Sequence, residues 1–562
     1  MKKTAIILLL CWVSICVTAQ IAPQKYFIEF MDKTNSPYSI SRPNEFLSLR
    51  AIERRQKQGV AIGQDDIPVN QTYVERVRSY GVNVLTRSKW FNGITIYCLN
   101  PTIVDTILRL PFVKRIIKDK SINSIYSSNS GDKFSLNEAS LNDNHIPGFT
   151  GKSNYSGNPA YDYGPSYNQI HMLKGDSLHK LGYKGEGMII AILDAGFYRA
   201  DILAAFDSLR HNNQILGTRD FVTPGNNVYN EYEHGMEVLS CMGGNIPGQI
   251  VGTAPKAGYW LLRSEDKNSE YLIEEYNWVA AAEFADSAGA DVINSSLGYT
   301  EFNEVTQNHT CQEMNGNTTP VTRGANIASG KGMLVVNSAG NSGASAWQCI
   351  SAPADGFNVL AVAAVDSNGI RAGFSSIGES TRRIKPNVAA MGKGAVVYSP
   401  AGTVIYNNGT SFSSPIMAGL AACLWQALPS WNNQAILRAI ELSGNQVSHP
   451  DSLLGYGIPD FIKAFQHVNV DNIDNESAVN IYPNPFNEAF SLSFHSDLAR
   501  QFDLYMLNSL CQVVYSAHNQ KARIGDNLVT FPNMAALPNG NYIIRLTGNS
   551  IFVNSKVIKL SK

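Results

Sequence analysis

Residues 406–426 read YNNGTSFSSPIMAGLAACLWQ. Small residues at Gly409, Thr410 and Ser411 let the chain turn sharply and let another backbone come close. The run Ile416, Met417, Leu420, Ala421 and Leu424 then recurs at helical spacing. Ser411 is therefore expected just ahead of a buried helix, facing its free N–H groups and positive dipole end. That place suits a nucleophilic serine whose reaction generates an oxyanion. An ordinary N-capping serine has the same local pattern, so the rest of the chain must decide.

Around this stretch, from about 166 to 468, short apolar runs alternate with helical patterns. Examples are MIIAILD (188–194), YWLLRS (259–264), DVINSSLG (291–298), GMLVVNSAGN (332–341) and VLAVAAV (359–365). Near-continuous apolar strands separated by helices imply an α/β domain, a parallel sheet covered on both faces.

With 562 residues the chain has room for three or four domains, and 44 % hydrophobic content fills their cores. A formal net charge of −1 supplies no global field toward nucleic acid or anionic lipid. Lys2 and Lys3 precede the apolar run Ala5 to Val17, and Val17-Thr18-Ala19 places small residues where a signal peptide is cut. Residues 1–19 are thus expected to be a signal, and the protein to be exported. The run is too short to span a membrane, which takes roughly 20 apolar residues.

Residues 21–119 read as a compact unit. KYFIEFM (25–31) is expected to be a strand, and a helix over 43–58 follows, capped by Ser41 or Asn44 and ended by Gly59. Then come a helix at 71–80, strands at 82–87 and 91–99, a helix at 101–110 and a strand at 113–119. Apart from the extra helix the order is βαββαβ, a ferredoxin-like α+β pattern. Residues 120–165, rich in Ser, Asn, Asp, Gly and Tyr, read as an exposed linker open to proteolysis. After 472, alternating runs (AFSLSF, FDLYML, LVTF, YIIRL, VIKL) predict a small β-sandwich over 472–562.

Export permits disulfides. Cys11 and Cys16 leave with the signal, and Cys98, Cys241, Cys423 and Cys511 sit in apolar helical or strand-like runs, as core residues do. Cys311 and Cys349 lie in polar, loop-like sequence and are the expected pair. No CxxC or His-x-x-x-His spacing appears, so no residue is assigned to a metal.

Four residues carry chemistry. Asp194 ends the strand in AILDAGF, at the C-terminal edge where parallel sheets collect their sites. His234 opens an apolar helix in EYEHGMEVLSCMGG, and Asn341 sits in the Gly-flanked turn of VVNSAGNSG. Ser411 completes the set. Each alone reads as a cap or turn former. Together they are a nucleophile, a base, a carboxylate to orient it and an oxyanion donor.

These residues resemble the subtilisin-like serine peptidases (peptidase S8), whose triad runs Asp, His, Ser along the chain. The resemblance covers roughly 166–465. It rests on Asp-x-Gly (194–196), His-Gly (234–235), Gly-x-Ala-Pro (252–255), Ser-Leu-Gly (296–298), Ala-Gly-Asn (339–341) and Gly-Thr-Ser-x-x-x-Pro (409–415). KPNVAAMG (385–392) and GYGIPD (455–460) also look like that family. The resemblance implies a serine endopeptidase zymogen with Ser411 as nucleophile, His234 as general base, Asp194 as its orienter and Asn341 as side-chain oxyanion donor. It further implies that Ser296, Leu297 and Gly298 pair with the substrate backbone, and that Ala352, Pro353 and Ala354 form part of the opposite wall of the S1 pocket. Calcium is common in the family, and Asn-rich loops such as 225–233 are where it would be sought; no other cofactor is implied. Ala195, Met236, Phe412 and Ser413 depart from the commoner Thr or Ser, Thr, Met and Ala of relatives.

The flanks agree. Residues 25–119 look like the inhibitory prodomain that precedes many subtilases. The C-terminal region, from NIYPNPFN (480–487) to KVIKL, is similar to the sorting domain of proteins exported by the type IX system, with a generic β-sandwich binding module as the alternative. The expected partners are protein or peptide substrates, the chain's own prodomain and the outer-membrane secretion machinery, with no nucleic acid. The expected location is the medium or the cell surface. The rival from another class is a catalytically silent scaffold kept for binding.

Overall fold

The structure, a computed structural model, describes residues 21–117, 161–378, 384–466, 480–496, 500–507, 513–548 and 551–560. The signal 1–19, most of the 120–165 linker and Cys511 lie outside these residues. The chain divides between His467 and Val468 into two compact units.

The first unit begins with strands β1 (Lys25–Phe30), β2 (Asn83–Ser88), β3 (Gly93–Tyr97) and β4 (Val113–Ile116). They form an antiparallel sheet in the order β2-β3-β1-β4. Helices α1 (Leu49–Gln58), α2 (Gln71–Arg78) and α3 (Pro101–Leu108) accompany them. With α1 set aside, the element order and strand order are ferredoxin-like.

The helix expected over 43–58 starts later. Pro43 opens a 3-10 turn that stops at Glu45, and the α-helix begins after Ser48, whose hydroxyl accepts the Ala51 N–H at 3.2 Å. The hydroxyl of Ser41 is instead bonded to that of Ser39. Gly59 does end the helix, at φ 68°, where a side chain is disfavoured.

Next come β5 (Ile189–Asp194), β6 (Ile215–Asp220), a short hairpin β7–β8 (Asn245–Ile246, Ile250–Val251), β9 (Gly258–Arg263), β10 (Val292–Ser295), β11 (Leu334–Ser338), β12 (Val359–Val365) and β13 (Val388–Met391). Seven of these make one sheet in the order β13-β12-β11-β10-β5-β9-β6, and every pairing is parallel. The small helices α4–α6 (Tyr167–His171, Gly175–Lys180, Asp207–His211) precede α7 (His234–Gly243), α8 (Ile273–Ala288), α9 (Pro320–Gly330) and α10 (Thr410–Ala427). Two apolar cores, one holding α7 and α10 and the other α8 and α9, cover the two faces of the sheet. Helix α10 is buried on every side from Thr410 to Trp425, as a helix inside a domain must be when it is apolar all round.

The N-terminal sheet docks on α8. Phe27 stacks on Tyr276 with ring centroids 4.4 Å apart, and Glu283 accepts from Ser88 Oγ (2.5 Å), Lys89 N (2.7 Å) and Trp90 N (3.0 Å). Beside it Asp286 is ringed by Arg54 (2.6 Å), Arg55 (2.7 Å) and Lys89 (2.9 Å). Arg55 also holds Asp66 bidentately at 2.8 Å, and Asp66 meets Lys331 at 3.1 Å. Burial alone would raise the Asp286 carboxyl, but Lys89, Arg55 and Arg54 hold it well below the usual carboxylate range.

The second unit has a three-stranded sheet (Asn480–Tyr482, Phe490–Ser496, Gly525–Phe531) and a four-stranded one (Val513–Ala522, Arg500–Leu507, Gly540–Gly548, Ile551–Lys559). Phe490, Leu492, Phe502, Leu504, Ile544 and Leu546 share one core between them, which makes the unit a β-sandwich. The edge strand Val513–Ala522 was not among the expected runs.

Replacing Asp286 by Ala leaves three buried cations around an empty position. Breaking such a network costs about 3–5 kcal/mol. Urea unfolding of the full chain should show a loss of that order. An unchanged midpoint would mean that the ring contributes nothing to docking.

Candidate active site

Parallel pairing in register brings the strand ends to one edge. Ser295 lies opposite Leu193 of β5 and Asn337 of β11. Asp194, the 296–298 segment and the 339–341 turn therefore emerge side by side.

Asp194 is fully buried, and its Oδ1 accepts from His234 Nδ1 at 2.7 Å and from Ala195 N at 2.7 Å. Two glycines permit that approach. A Cβ on Gly235 would lie 2.4 Å from the Gly196 carbonyl, and one on Gly196 would lie 2.4 Å from Tyr232 N. The Asp-x-Gly and His-Gly pairs are thus one interlocking contact. Asp194 Oδ2 is buried without a hydrogen-bond partner among the described residues. Ala195, the next residue, has no side-chain hydroxyl to offer it.

Ser411 is the second residue of α10, and its Oγ donates to the Ser296 carbonyl at 3.3 Å. The reverse bond also forms, from Ser296 Oγ to the Ser411 carbonyl at 2.8 Å. Pro415 explains it. Proline has no N–H, so the Ser411 carbonyl four residues earlier loses its helical donor and Ser296 supplies one. The His234 ring lies 6.0 Å from that of Phe412, which sets the imidazole beside the start of the helix.

Asn341 is anchored by one end. Its Oδ1 accepts from Thr410 N (2.9 Å) and Thr410 Oγ1 (2.8 Å), so the amide nitrogen is the end turned away from Thr410. Gly409 has φ 150°, and a Cβ placed there would be 3.6 Å from both Asn341 Nδ2 and Ser411 N. The two nitrogens bracket one small space, and the Ser411 N–H belongs to the first turn, where helices leave donors unused. A hydroxyl, an imidazole fixed by a carboxylate and N–H donors close by are the groups that nucleophilic acyl transfer requires.

The expected substrate wall is partly occupied. Ser296 is taken up with Ser411, and the Leu297 carbonyl accepts from Asn337 Nδ2 at 2.9 Å, whereas Gly298 is exposed. Across from it, Ala352 and Ala354 are fully buried, and Tyr299 and Ala352 exchange backbone hydrogen bonds at 2.9 and 3.3 Å. Cys311 and Cys349 are joined, 38 positions apart, which a chain-entropy argument values at about 4 kcal/mol. Cys98, Cys241 and Cys423 are free and buried.

In the 225–233 loop Asn227 Oδ1 accepts the Tyr229 N–H at 3.0 Å and Glu231 pairs with Arg263 at 3.3 Å, so these two side chains are engaged within the protein. Elsewhere Glu265, Glu270 and Glu274 bring oxygens within 4.8 Å of one another, but Glu265 accepts from the Tyr299 hydroxyl and Glu274 from the Asp266 N–H.

Two residues near the site were missed in the sequence. Thr410 positions Asn341. Glu237, one turn after His234, is buried and accepts from Asn407 Nδ2 at 3.0 Å. Only its placement three residues after His234 could have drawn attention to it. Burial raises the Glu237 carboxyl to about 7, Glu233 and Asp194 add to the rise, and His234 and Asn407 oppose it.

Residues 185–457 match the Subtilase family, 25–134 the peptidase S8 propeptide domain of Bacteroidota, and 480–560 a secretion system C-terminal sorting domain. Subtilisin DY of Bacillus licheniformis is 31 % identical over 266 residues, 46 % of this chain and 85 % of that protein. Subtilisin NAT of Bacillus subtilis subsp. natto is 28 % identical over 276 residues, 48 % of this chain, and the match spans 64 % of that relative's length. The crystal structure of MycP1 from Mycobacterium smegmatis, 21 % identical, covers 56 % of this chain and 86 % of that one with a TM-score of 0.41.

Glu237 gives the site a testable pH signature. Ionised, it favours the charged form of the imidazole beside it; as Gln it cannot. In Glu237→Gln the acid limb of Ser411 phosphonylation by a small fluorophosphonate should therefore move to lower pH, by about half a unit or more. A limb that stays in place, or moves up, would dismiss the coupling.

Proposed function

This chain belongs to the subtilase family, and from that premise we propose that it is an exported serine endopeptidase made as a zymogen. The observation that carries the reading is the buried Asp194–His234 pair beside a helix that begins with Ser411. His234, with its Nδ1–H held by Asp194, presents Nε2 as the base. Ser411 Oγ attacks the peptide carbonyl, its proton passes to Nε2, and the oxyanion is held by Asn341 Nδ2 and the Ser411 N–H. The proton then goes to the leaving amine, and water hydrolyses the acyl-enzyme by the same route.

The Ser296 carbonyl has two uses in this mechanism. In the free site it accepts from Ser411 Oγ. A substrate that pairs along 296–298 as an added strand brings its own N–H to that carbonyl and releases the hydroxyl toward His234. Binding and activation of the nucleophile are then one event.

The N-terminal unit, over 21–119, is proposed to be the prodomain that blocks the cleft until the 120–165 linker is cut, with the catalytic domain over 166–468. Residues 480–560 match a sorting domain, which marks the protein for type IX export to the cell surface or medium. Among the described residues no helix is long and apolar enough to cross a membrane.

Ser411→Ala or His234→Ala should abolish both peptide hydrolysis and fluorophosphonate labelling, because neither group works without the other. Asn341→Leu should lower kcat by about 10²–10³ with little change in KM, the usual cost of losing one oxyanion donor. A kcat equal to that of the unaltered protein would remove Asn341 from the mechanism. Deleting 472–562 should leave an active peptidase that accumulates in the periplasm. If the shortened chain still reaches the medium, export does not depend on this domain.

A further inference from the structure

Strands β5, β9 and β6 lie side by side and end together. Asp194 is paired with Arg263, and Arg263 with Asp220. Side chains alternate between the two faces of a strand. Ile190 and Ile192 of β5, with Tyr259 and Leu261 of β9, line the core that holds α7. Two residues further on, Asp194 and Arg263 therefore leave the sheet on that same face, where His234 opens α7. A buried arginine stands next to the carboxylate that orients the base.

The guanidinium directs its three nitrogens to three different segments. Nε donates to the Ala195 carbonyl at 3.1 Å, Nη1 donates to Asp220 Oδ2 at 2.9 Å, and Nη2 pairs with Glu231 at 3.3 Å. Asp220 is itself fixed, because its Oδ1 accepts the Val222 and Thr223 N–H groups at 2.8 Å. The arginine backbone is held as well. The Ser264 N–H bonds the Asp194 carbonyl at 2.9 Å, and the Phe221 N–H bonds the Arg263 carbonyl at 2.8 Å. One side chain thus joins the end of β6, the turn after Asp194 and the segment three residues before His234.

The last two of these are the pieces whose approach sets the 2.7 Å bond between Asp194 and His234. A Cβ on Gly196 would fall 2.7 Å from the Glu231 Cβ. The absence of that Cβ permits the approach but does not hold it. Arg263 bonds one piece at Ala195 and the other at Glu231, so it draws them together. For stability alone, an apolar side chain of similar volume serves as well as a buried ion pair.

We infer that Arg263 is a positioning residue for the catalytic pair. Its fork clamps the turn after Asp194 to the segment before His234, and so keeps the carboxylate on Nδ1 while the imidazole takes up and releases its proton. This rests on the serine peptidase reading above. The 296–298 segment follows β10, on the other side of β5 from Arg263. Loss of the clamp therefore acts on kcat and leaves KM.

The test uses the full chain. In every variant the 120–165 linker is cut with added trypsin, for which Lys133 and Lys152 are sites, and the trypsin is then removed on immobilised inhibitor. Arg263→Gln should lower kcat by about tenfold or more, with KM nearly unchanged, and slow phosphonylation of Ser411 by the same factor. In an Asp194→Asn background, which has already lost the oriented carboxylate, adding Arg263→Gln should slow phosphonylation by less than about twofold. A residue that merely supported the fold would cost the same factor in both backgrounds. Arg263→Lys keeps the charge but cannot reach three partners, and it reads independently if the glutamine variant does not fold. It should show the same loss of kcat and the same absence of a further loss beside Asp194→Asn. An unaltered kcat in either variant overturns the inference. If Ser411 of the unaltered protein is labelled but the two changes multiply, this inference alone falls. If Ser411 is not labelled and no peptide is cleaved, the peptidase reading falls and this one with it.

Discussion

Parallel pairing of β5 with β10, and of β10 with β11, is the constraint on which the site depends. Parallel strands in register all end at the same edge, so Asp194, Ser296 and Asn341 leave the sheet together although they are far apart in the chain. Everything else is built against that edge. Helix α7 starts on Asp194, and α10 starts between Ser296 and Asn341.

The site is assembled largely by what its residues lack. Gly196 and Gly235 have no Cβ, so β5 and α7 approach until carboxylate and imidazole are 2.7 Å apart. Gly409 has none either, and the space left lies between two N–H donors. Pro415 has no N–H, so the Ser411 carbonyl turns to Ser296 and the start of α10 is fastened to the 296–298 segment. A buried helix has no slack of its own, so one such bond sets the position of its first turn.

The interface with the N-terminal unit is built differently. Asp286 and Asp66 take Arg54, Arg55, Lys89 and Lys331 into a buried network. Buried ion pairs of this kind repay little more than the cost of removing their charges from water, but they tolerate very little misplacement. The apolar contact of Phe27 with Tyr276 supplies area, and the charges select the register in which it is used.

The layering of the α/β domain, the ferredoxin-like order before it and the strands after it were legible in the sequence, because apolar period and small-residue turns are local properties. So were Asp194, His234, Asn341 and Ser411, each beside glycine or another small residue. Weaker local signals failed. The helix start at Ser48 was misplaced because Ser41 and Asn44 offered earlier caps, and the edge strand Val513–Ala522 is too polar to show a period. What tertiary structure alone decided is which side chains meet. Ser296 and Ser411 are 115 positions apart, and their exchange of hydrogen bonds follows from sheet register and a missing N–H. Glu237 beside the histidine has no motif of its own. Its place comes from burial and from neighbours that only the fold supplies, and no spacing along the chain encodes it.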